Sequence, residues 1–251
     1  ALYPKLRAYF EAGGKLLLSG SAGFDEAGRW ALDFLPLGRE GTETDEPVYW
    51  QVAEEFDPDW AGVDRVLYRR GPAITAHGDA RVVASRQEPY FQRSDKIFCS
   101  HFQAPPQPGE PTGPAVVCGE RWACVADPMF RDYREAGGLV IAAMWQSLVR
   151  ELIGEPLVGA GLPTTVLSVP RRRGNDLLVT LLHYVPVRKA LKIDVIAERM
   201  SFAGEALAFD RPVSAVIDAM TEQPLSPNEA GRFALQGKGR LLLCMPNYFA
   251  D

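Results

Sequence analysis

Leu6-Arg7-Ala8-Tyr9-Phe10-Glu11-Ala12-Gly13-Gly14-Lys15-Leu16-Leu17-Leu18-Ser19-Gly20 reads as a helix that stops and runs directly into a buried strand. Leu2, Leu6, Tyr9 and Phe10 recur at helical spacing, which predicts an amphipathic helix over residues 2–12. Gly13-Gly14 supplies the left-handed stop that such a helix needs. Leu16-Leu17-Leu18 is a short continuous apolar run, the pattern of a parallel-sheet strand covered on both faces. Gly20-Ser21-Ala22-Gly23 then turns the chain outward at the strand's carboxyl end. A parallel strand needs neighbours, and the helix before it normally follows another strand. The expectation is an α/β domain whose first strand lies upstream, in a longer protein.

Working outward, residues 25–36 predict a short helix carrying Trp30, Leu32, Phe34 and Leu35. Residues 38–62, rich in Gly, Asp, Glu and Pro, read as a long loop of the functional or interfacial kind. Residues 66–68, 81–84 and 96–102 read as strands, and 104–114 as a proline-stiffened loop. Residues 115–118 and 122–126 bracket Gly119-Glu120-Arg121 as a hairpin, across which Cys118 and Cys124 can face each other. Asp127-Pro128 reads as a helix start, an N-cap ahead of a first-turn proline. That helix breaks at Gly137-Gly138. The next carries Val140, Met144, Leu148 and Leu152 at four-residue spacing beside Ile141 and Trp145, and ends at Gly154.

The texture then changes. Residues 165–169, 177–184, 193–196, 206–209, 213–217, 231–235 and 241–245 are short alternating segments separated by turns, with no helical period among them. That pattern predicts an antiparallel β-sandwich. Two domains follow, 1–158 and 159–251. Arg171-Arg172-Arg173 before Gly174-Asn175-Asp176 reads as a solvated hairpin tip.

The 251 residues are 47% hydrophobic and 24% charged, as in ordinary globular proteins. A net charge of −5 argues against a nucleic-acid partner, which needs clustered positive charge. No apolar stretch is long enough for a membrane helix, so no membrane partner is expected. Four cysteines without CxxC spacing suit buried free thiols and a cytoplasmic setting. The chain carries no P-loop, no dinucleotide fingerprint and no calcium loop, and neither cofactor nor metal is expected.

The three histidines offer little catalysis. His77 sits in a turn and His183 in a strand, whereas His101 has Cys99 and Ser100 beside it. On a strand, Ser100 and His101 point to opposite faces, but Cys99 and His101 share one and permit a thiolate–imidazole pair. A cysteine nucleophile normally sits on a sharp strand-to-helix turn, which neither Cys99 nor Cys118 has. No catalytic residue is assigned. Tyr90, Arg93 and His101 combine a ring, a guanidinium fork and an imidazole, and are candidates for contact with a ligand or another domain. Tyr49, Trp50, Phe56 and Trp60 are candidates for an oligomer or interdomain interface.

The ordered segments carry a resemblance. Residues 6–20 resemble the helix–strand of the trimerisation domain of family forty-two β-galactosidases. Tyr90-Phe91-Gln92-Arg93, Phe98-Cys99-Ser100-His101 and Ala126-Asp127-Pro128-Met129-Phe130-Arg131-Asp132-Tyr133-Arg134-Glu135 resemble a related group of bacterial glycoside hydrolases. In that group His183-Tyr184-Val185-Pro186 is similar to the strand opening a carboxyl-terminal β-sandwich. The resemblance implies a flavodoxin-like, class I glutamine-amidotransferase-like domain that has lost its nucleophile, followed by the sandwich. It also implies an upstream TIM barrel holding two catalytic carboxylates, and a homo-oligomer. The expected function is thus non-catalytic: oligomer assembly and shaping of the barrel's active-site rim in a carbohydrate-active enzyme. The alternatives are a sugar-binding module built on the sandwich, and an amidase or amidotransferase using a cysteine.

Overall fold

A computed structural model describes the chain except for residues 1, 160–161, 163–164, 184–186, 189–193, 196–200, 230–231, 239 and 251. The chain divides into two compact units, Ala1–Gly154 and Glu155–Asp251. Among the described residues strands predominate, with few helices, and no helix is long and apolar enough to cross a membrane.

In the first unit α1 (Tyr3–Glu11) leads into β1 (Leu16–Ser19). The helix closes as the glycines require: Gly14 N–H reaches Tyr9 O at 2.8 Å, Gly13 N–H reaches Phe10 O at 3.0 Å, and Gly13 has φ +94°. Its packed face is Tyr3, Leu6 and Phe10, whereas Leu2 and Tyr9, expected on that face, are exposed. There follow β2 (Leu37–Glu40), β3 (Val48–Val52), β4 (Arg65–Leu67), β5 (Ala73–Ala76), β6 (Arg81–Gln87), β7 (Gly113–Gly119), β8 (Trp122–Val125), α2 (Met129–Ala136) and α3 (Leu139–Ile153). One sheet runs in the order β1-β8-β7-β6-β3-β4, and β2 pairs β5 separately. β1 and β8 are parallel; the other neighbours in this sheet are antiparallel. The sheet is therefore mixed, and its parallel part is this one pair among the described residues.

Strand alternation sorts the side chains onto two covered faces. Val116, Cys118, Ala123 and Val125 pack with Val140, Ile141, Met144, Leu148 and Leu152, the apolar stripe of α3. Leu16, Leu18, Val117 and Cys124 point the other way, to Leu32, Leu35, Leu37 and Ile74, with Tyr3, Leu6 and Phe10 of α1 beside them. Leu17 joins the α3 side, so β1 is covered on both faces. Burying each Leu or Val of this kind contributes about 1.5–3 kcal/mol before the cost of ordering it.

Five sequence expectations in this unit are corrected. Residues 25–36 form turns, because Asp25 Oδ1 accepts Ala27 and Arg29 N–H (both 2.9 Å) and Phe24 bridges Trp30. Residues 38–62 are no continuous loop but hold most of β2 and all of β3, which find ladder partners in β5, β4 and β6. Residues 96–102 make no strand. Ser94 Oγ instead accepts Lys96 and Ile97 N–H, both at 3.2 Å, and turns the chain. Cys118 and Cys124 do not face each other: the hairpin register sets Cys118 against Ala123 and Val117 against Cys124, on opposite sheet faces. The last correction concerns Asp127, whose side chain does not cap α2.

Asp127 is fully buried, and its carboxylate faces into the unit. Oδ2 accepts Trp50 Nε1–H at 2.7 Å, while Oδ1 accepts Gly71 N–H at 2.8 Å and Arg86 Nη2–H at 2.5 Å. Its backbone carbonyl accepts Ser19 Oγ–H (2.9 Å) and Gly20 N–H (3.2 Å) at the end of β1. Gly71 is required: a Cβ there would lie 1.8 Å from Ala126 O. Arg39, also buried, donates to the same Ala126 O at 3.0 Å and lies over the Phe24 and Trp30 rings.

In the second unit the strands are β9 (Val158–Gly159), β10 (Val166–Arg173), β11 (Asp176–His183), β12 (Val187–Arg188), β13 (Asp194–Val195), β14 (Ser201–Phe209), β15 (Val216–Asp218), β16 (Gln223–Leu225), β17 (Phe233–Lys238) and β18 (Arg240–Met245). Among the described residues β10-β11-β18-β15-β16 form one sheet and β17-β14-β9 another, both antiparallel. One core joins them: Leu177, Val179, Leu181, Leu241, Leu243 and Met245 from the first, Leu207, Phe233 and Leu235 from the second. The Arg171–Arg173 run lies on β10 rather than in the turn, exposed, with Arg173 opposite Asp176. The expected segment 193–196 overlaps β13, its two end residues lying outside the described ones, as does Gly231.

Removing the Asp127 carboxylate strands a buried guanidinium and two buried N–H groups. Asp127→Ala should cost about 3–5 kcal/mol, read as a lower urea midpoint. Asp45→Ala, whose carboxylate is exposed and whose partner Arg69 keeps Glu135, should cost no more than about 1 kcal/mol in the same assay.

Candidate functional site

The excursion over residues 90–104 leaves the first unit through a narrow neck. Pro89 bridges Pro106, Tyr90 N–H reaches Pro105 O at 2.9 Å, and Gln107 N–H reaches Glu88 O at 2.8 Å. Two side chains pin it further, Gln92 Nε2 to Pro47 O and Tyr49 Oη to Ala104 O, each at 2.8 Å. The loop is thus held in place while its rings face solvent: Phe98 is 73% exposed, Phe102 63% and Tyr90 59%. The Arg93 guanidinium lies over Phe98 (5.1 Å) and Phe102 (5.9 Å) and donates to Phe102 O at 3.3 Å.

Beside this loop lie two basins that share Asp45 and Phe102. One, of about 430 Å³, is lined by Asp45, Tyr68, Arg69, Phe102, Glu135 and Ala136. The other, of about 370 Å³, adds Glu46, Pro47, Gln92, Arg93 and Ser94. The floor belongs to the ends of secondary structure: Tyr68 and Arg69 follow β4, and Glu135 and Ala136 close α2. Glu43 Oε1 accepts Ser21 N–H at 2.7 Å and ties the Asp45 segment to the carboxyl end of β1, where α/β sheets meet ligands. Tyr68 and Phe102 meet edge to face at 5.3 Å.

Of the three ligand-contact candidates, this cleft takes in Arg93. Tyr90 and His101 are exposed on the same loop but line neither basin. Among the interface candidates, Tyr49 and Trp50 are core residues of their own unit, spent on Ala104 O and Asp127, and have no surface for a partner. Phe56 and Trp60 are half-buried against the same core, beneath the guanidinium groups of Arg81 and Arg65. Asp45, Tyr68, Arg69 and Glu135 are not among the site candidates the sequence offers, although Glu135 closes the 126–135 stretch that carries the resemblance. The one local signal for them is Arg131 with Glu135, four residues apart on a helix.

Arginine compensates carboxylates of the cleft. Arg69 pairs with both Asp45 and Glu135. The Arg69 guanidinium, with Arg131, holds the Glu135 carboxyl below its ordinary value. A general acid needs the opposite shift. Burial pushes the Asp132 carboxyl up, against the pull of the Tyr68 N–H it accepts at 2.5 Å, but Asp132 lies beneath the surface. Burial likewise raises the Cys118 thiol to about 12 and the Cys124 thiol to about 11, far from a thiolate nucleophile. Cys99 Sγ is 3.4 Å from His101 O, a backbone contact and not an imidazole pair. His77 is exposed in its turn, and His183 is half-buried at the end of β11. Among the described residues no group of three His, Cys, Asp or Glu is placed to hold a metal.

No protein-family model and no curated protein matches the chain. Solved structures do. An α-L-fucosidase, isoenzyme 2 from Paenibacillus thiaminolyticus, aligns with 96% of the chain at 23% identity and TM-score 0.83. The cold-adapted β-galactosidase from Rahnella sp. R3 covers 96% at 14% identity and TM-score 0.54. A GH42 β-galactosidase from G. stearothermophilus covers 96% at 12% identity and TM-score 0.56. These identities show a shared fold. The chain spans 38%, 30% and 29% of those three glycoside hydrolases, respectively.

Asp132 yields a pH test. Its folded-state value is raised, so its charge destabilises the fold above that value, and the penalty vanishes below the unfolded value near 3.8. Asp132→Asn keeps an oxygen for Tyr68 N–H and removes the charge. Its melting temperature should match or exceed the parent's at about pH 7, with the advantage shrinking to nothing below about pH 4. A variant that is less stable at neutral pH by the same margin as in acid would contradict this account.

Proposed function

We propose that this chain is the carboxyl-terminal region of a glycoside hydrolase whose catalytic carboxylates lie in an upstream TIM barrel. Its own work is assembly and the shaping of that barrel's active-site rim. The observation that carries this reading is the likeness of nearly the whole chain to a minor part of an α-L-fucosidase. The substrates named for these enzymes make an α-L-fucoside the parent's proposed substrate and a β-galactoside the alternative. Glycoside hydrolysis needs two carboxyls about 5–10 Å apart, one of them able to hold a proton. The cleft's carboxylates are neutralised by arginine instead.

Assembly is supported by the pinned, exposed rings of Tyr90, Phe98 and Phe102, since soluble surfaces rarely display clustered aromatics without a partner. The partners we propose are the upstream barrel and further copies of the same polypeptide. Within the first unit, the parallel β1/β8 pair, covered by α1 on one face and α3 on the other, supports an amidotransferase-like, flavodoxin-like origin. The four free cysteines support a cytoplasmic setting.

Purified chain should not turn over p-nitrophenyl α-L-fucoside or β-D-galactoside, whereas the polypeptide with its upstream residues should cleave the fucoside. In that longer protein, Phe98→Ser with Phe102→Ser should lower kcat/KM by about tenfold or dissociate the oligomer in light scattering. Turnover by the chain alone would overturn the reading.

A further inference from the structure

The second unit has its own cleft, of about 520 Å³, lined by Phe209, Asp210, Arg211, Val213, Arg232 and Phe233 among others. That volume lies in the range of small-molecule sites, about 300–1,000 Å³. Its polar centre is organised. Tyr248 Oη–H donates to Asp210 Oδ1, and Arg211 Nε lies 3.5 Å from the same oxygen. Tyr248 in turn is fixed by packing against Phe209 (6.1 Å) and Phe249 (5.1 Å), and the Arg211 guanidinium lies over its ring at 5.4 Å. Burial and the neighbouring carboxylate hold the phenol protonated, so it stays a donor.

Both of these contacts fall on Oδ1. The side chain is therefore held in one orientation by one oxygen, with acceptor capacity left on Oδ2. Arg232 lines the cleft too, on a segment closed by Asn228 N–H to Arg232 O (2.7 Å) and Arg232 N–H to Asn228 Oδ1 (2.9 Å). Pro227 bridges Phe233 beside it. Planar guanidinium donors, an oriented carboxylate acceptor and walls of Phe209, Pro212, Val213 and Pro227 make a set suited to a ring bearing hydroxyls on its edge and C–H groups on its face. Asp210 offsets one of the two arginines and leaves the lining with one net positive charge, so an anion such as phosphate is the competing ligand the test must separate. Phe209 and Phe233 meet edge to face and Phe233 is buried, so the site is a cleft and not a flat aromatic platform.

We propose that this cleft binds a neutral hexopyranose, with Asp210 Oδ2 accepting from a sugar hydroxyl and Arg211 and Arg232 donating to its neighbours. The choice of sugar as ligand rests on the glycoside hydrolase reading; the site itself does not.

The test is a titration of the purified chain with methyl α-L-fucopyranoside, methyl β-D-galactopyranoside and, separately, inorganic phosphate, followed by amide chemical shifts. Saturable shifts confined to the amides of Ala208, Phe209, Asp210, Arg211, Val213, Arg232 and Phe233 are expected for at least one glycoside, with Kd on the order of 1 mM. Arg232→Ala and Asp210→Asn should each weaken binding about tenfold. Asn keeps an oxygen for Tyr248 but replaces the second acceptor with a donor, so melting temperature should hold while binding falls. The proposal fails if neither glycoside shifts these amides at ~50 mM, if phosphate alone does so, or if both variants bind as the parent does. Catalysis by the longer polypeptide is untouched by any of these outcomes, so this site and the proposed function fail separately.

Discussion

A buried carboxylate holds the first unit together. Asp127 lies just beyond β8, and its two oxygens receive N–H groups from β3, from the turn before β5 and from β6. Those donors stand 41 to 77 residues away in the chain. An ionised carboxylate taken out of water needs such a set, because desolvation costs several kcal/mol unless each lone pair finds a donor. The same residue's carbonyl collects Ser19 and Gly20 from the end of β1. The edge strand β1 is thus tied to β6 and β3 at one point, and the spacing around it is tight enough that only glycine fits at position 71.

The surface cleft depends on that point. Gly71 and Arg86 fix the chain on either side of β5, while Glu88 at the end of β6 closes the neck of the 90–104 loop by accepting Gln107 N–H and pairs with Arg70. Asp132, one turn into α2, accepts the Tyr68 amide and sets the ring that meets Phe102. Arg69 then bridges Asp45 and Glu135 across the cleft floor. Charge in this cleft is compensated within the chain itself. It presents rings and guanidinium edges, and the Glu135 carboxyl is held below its ordinary value by Arg69.

The two units divide the physics. In the first, helices cover both faces of a sheet, and buried polar groups choose which loops come together. In the second, two antiparallel sheets share one apolar core, and polar chemistry gathers at its edge around Asp210 and Tyr248. Among the described residues each unit carries an open cleft with arginine in its lining, formed by different means.

Local periodicity told in advance where the regular elements lie. The glycine-stopped first helix, the Leu16–Leu18 strand, the stripe of α3, the Glu120-Arg121 hairpin and most sandwich strands follow from spacing that each segment carries alone. What the sequence could not show is where side chains with several options are spent. Asp127 before a proline reads as a helix cap, yet Trp50, Gly71 and Arg86 outbid the helix end for its oxygens. Tyr49 and Trp50 read as surface in a polar stretch, until ladders from β4 and β6 turn that stretch into a core strand. Residues 96–102 carry enough apolar character for a strand, but no neighbour offers them a ladder. Period and turn chemistry are properties of a few consecutive residues, so the sequence by itself determined them. Strand pairing and the satisfaction of buried charge join residues tens of positions apart, and only the tertiary structure decides which of the competing donors and ladders is within reach.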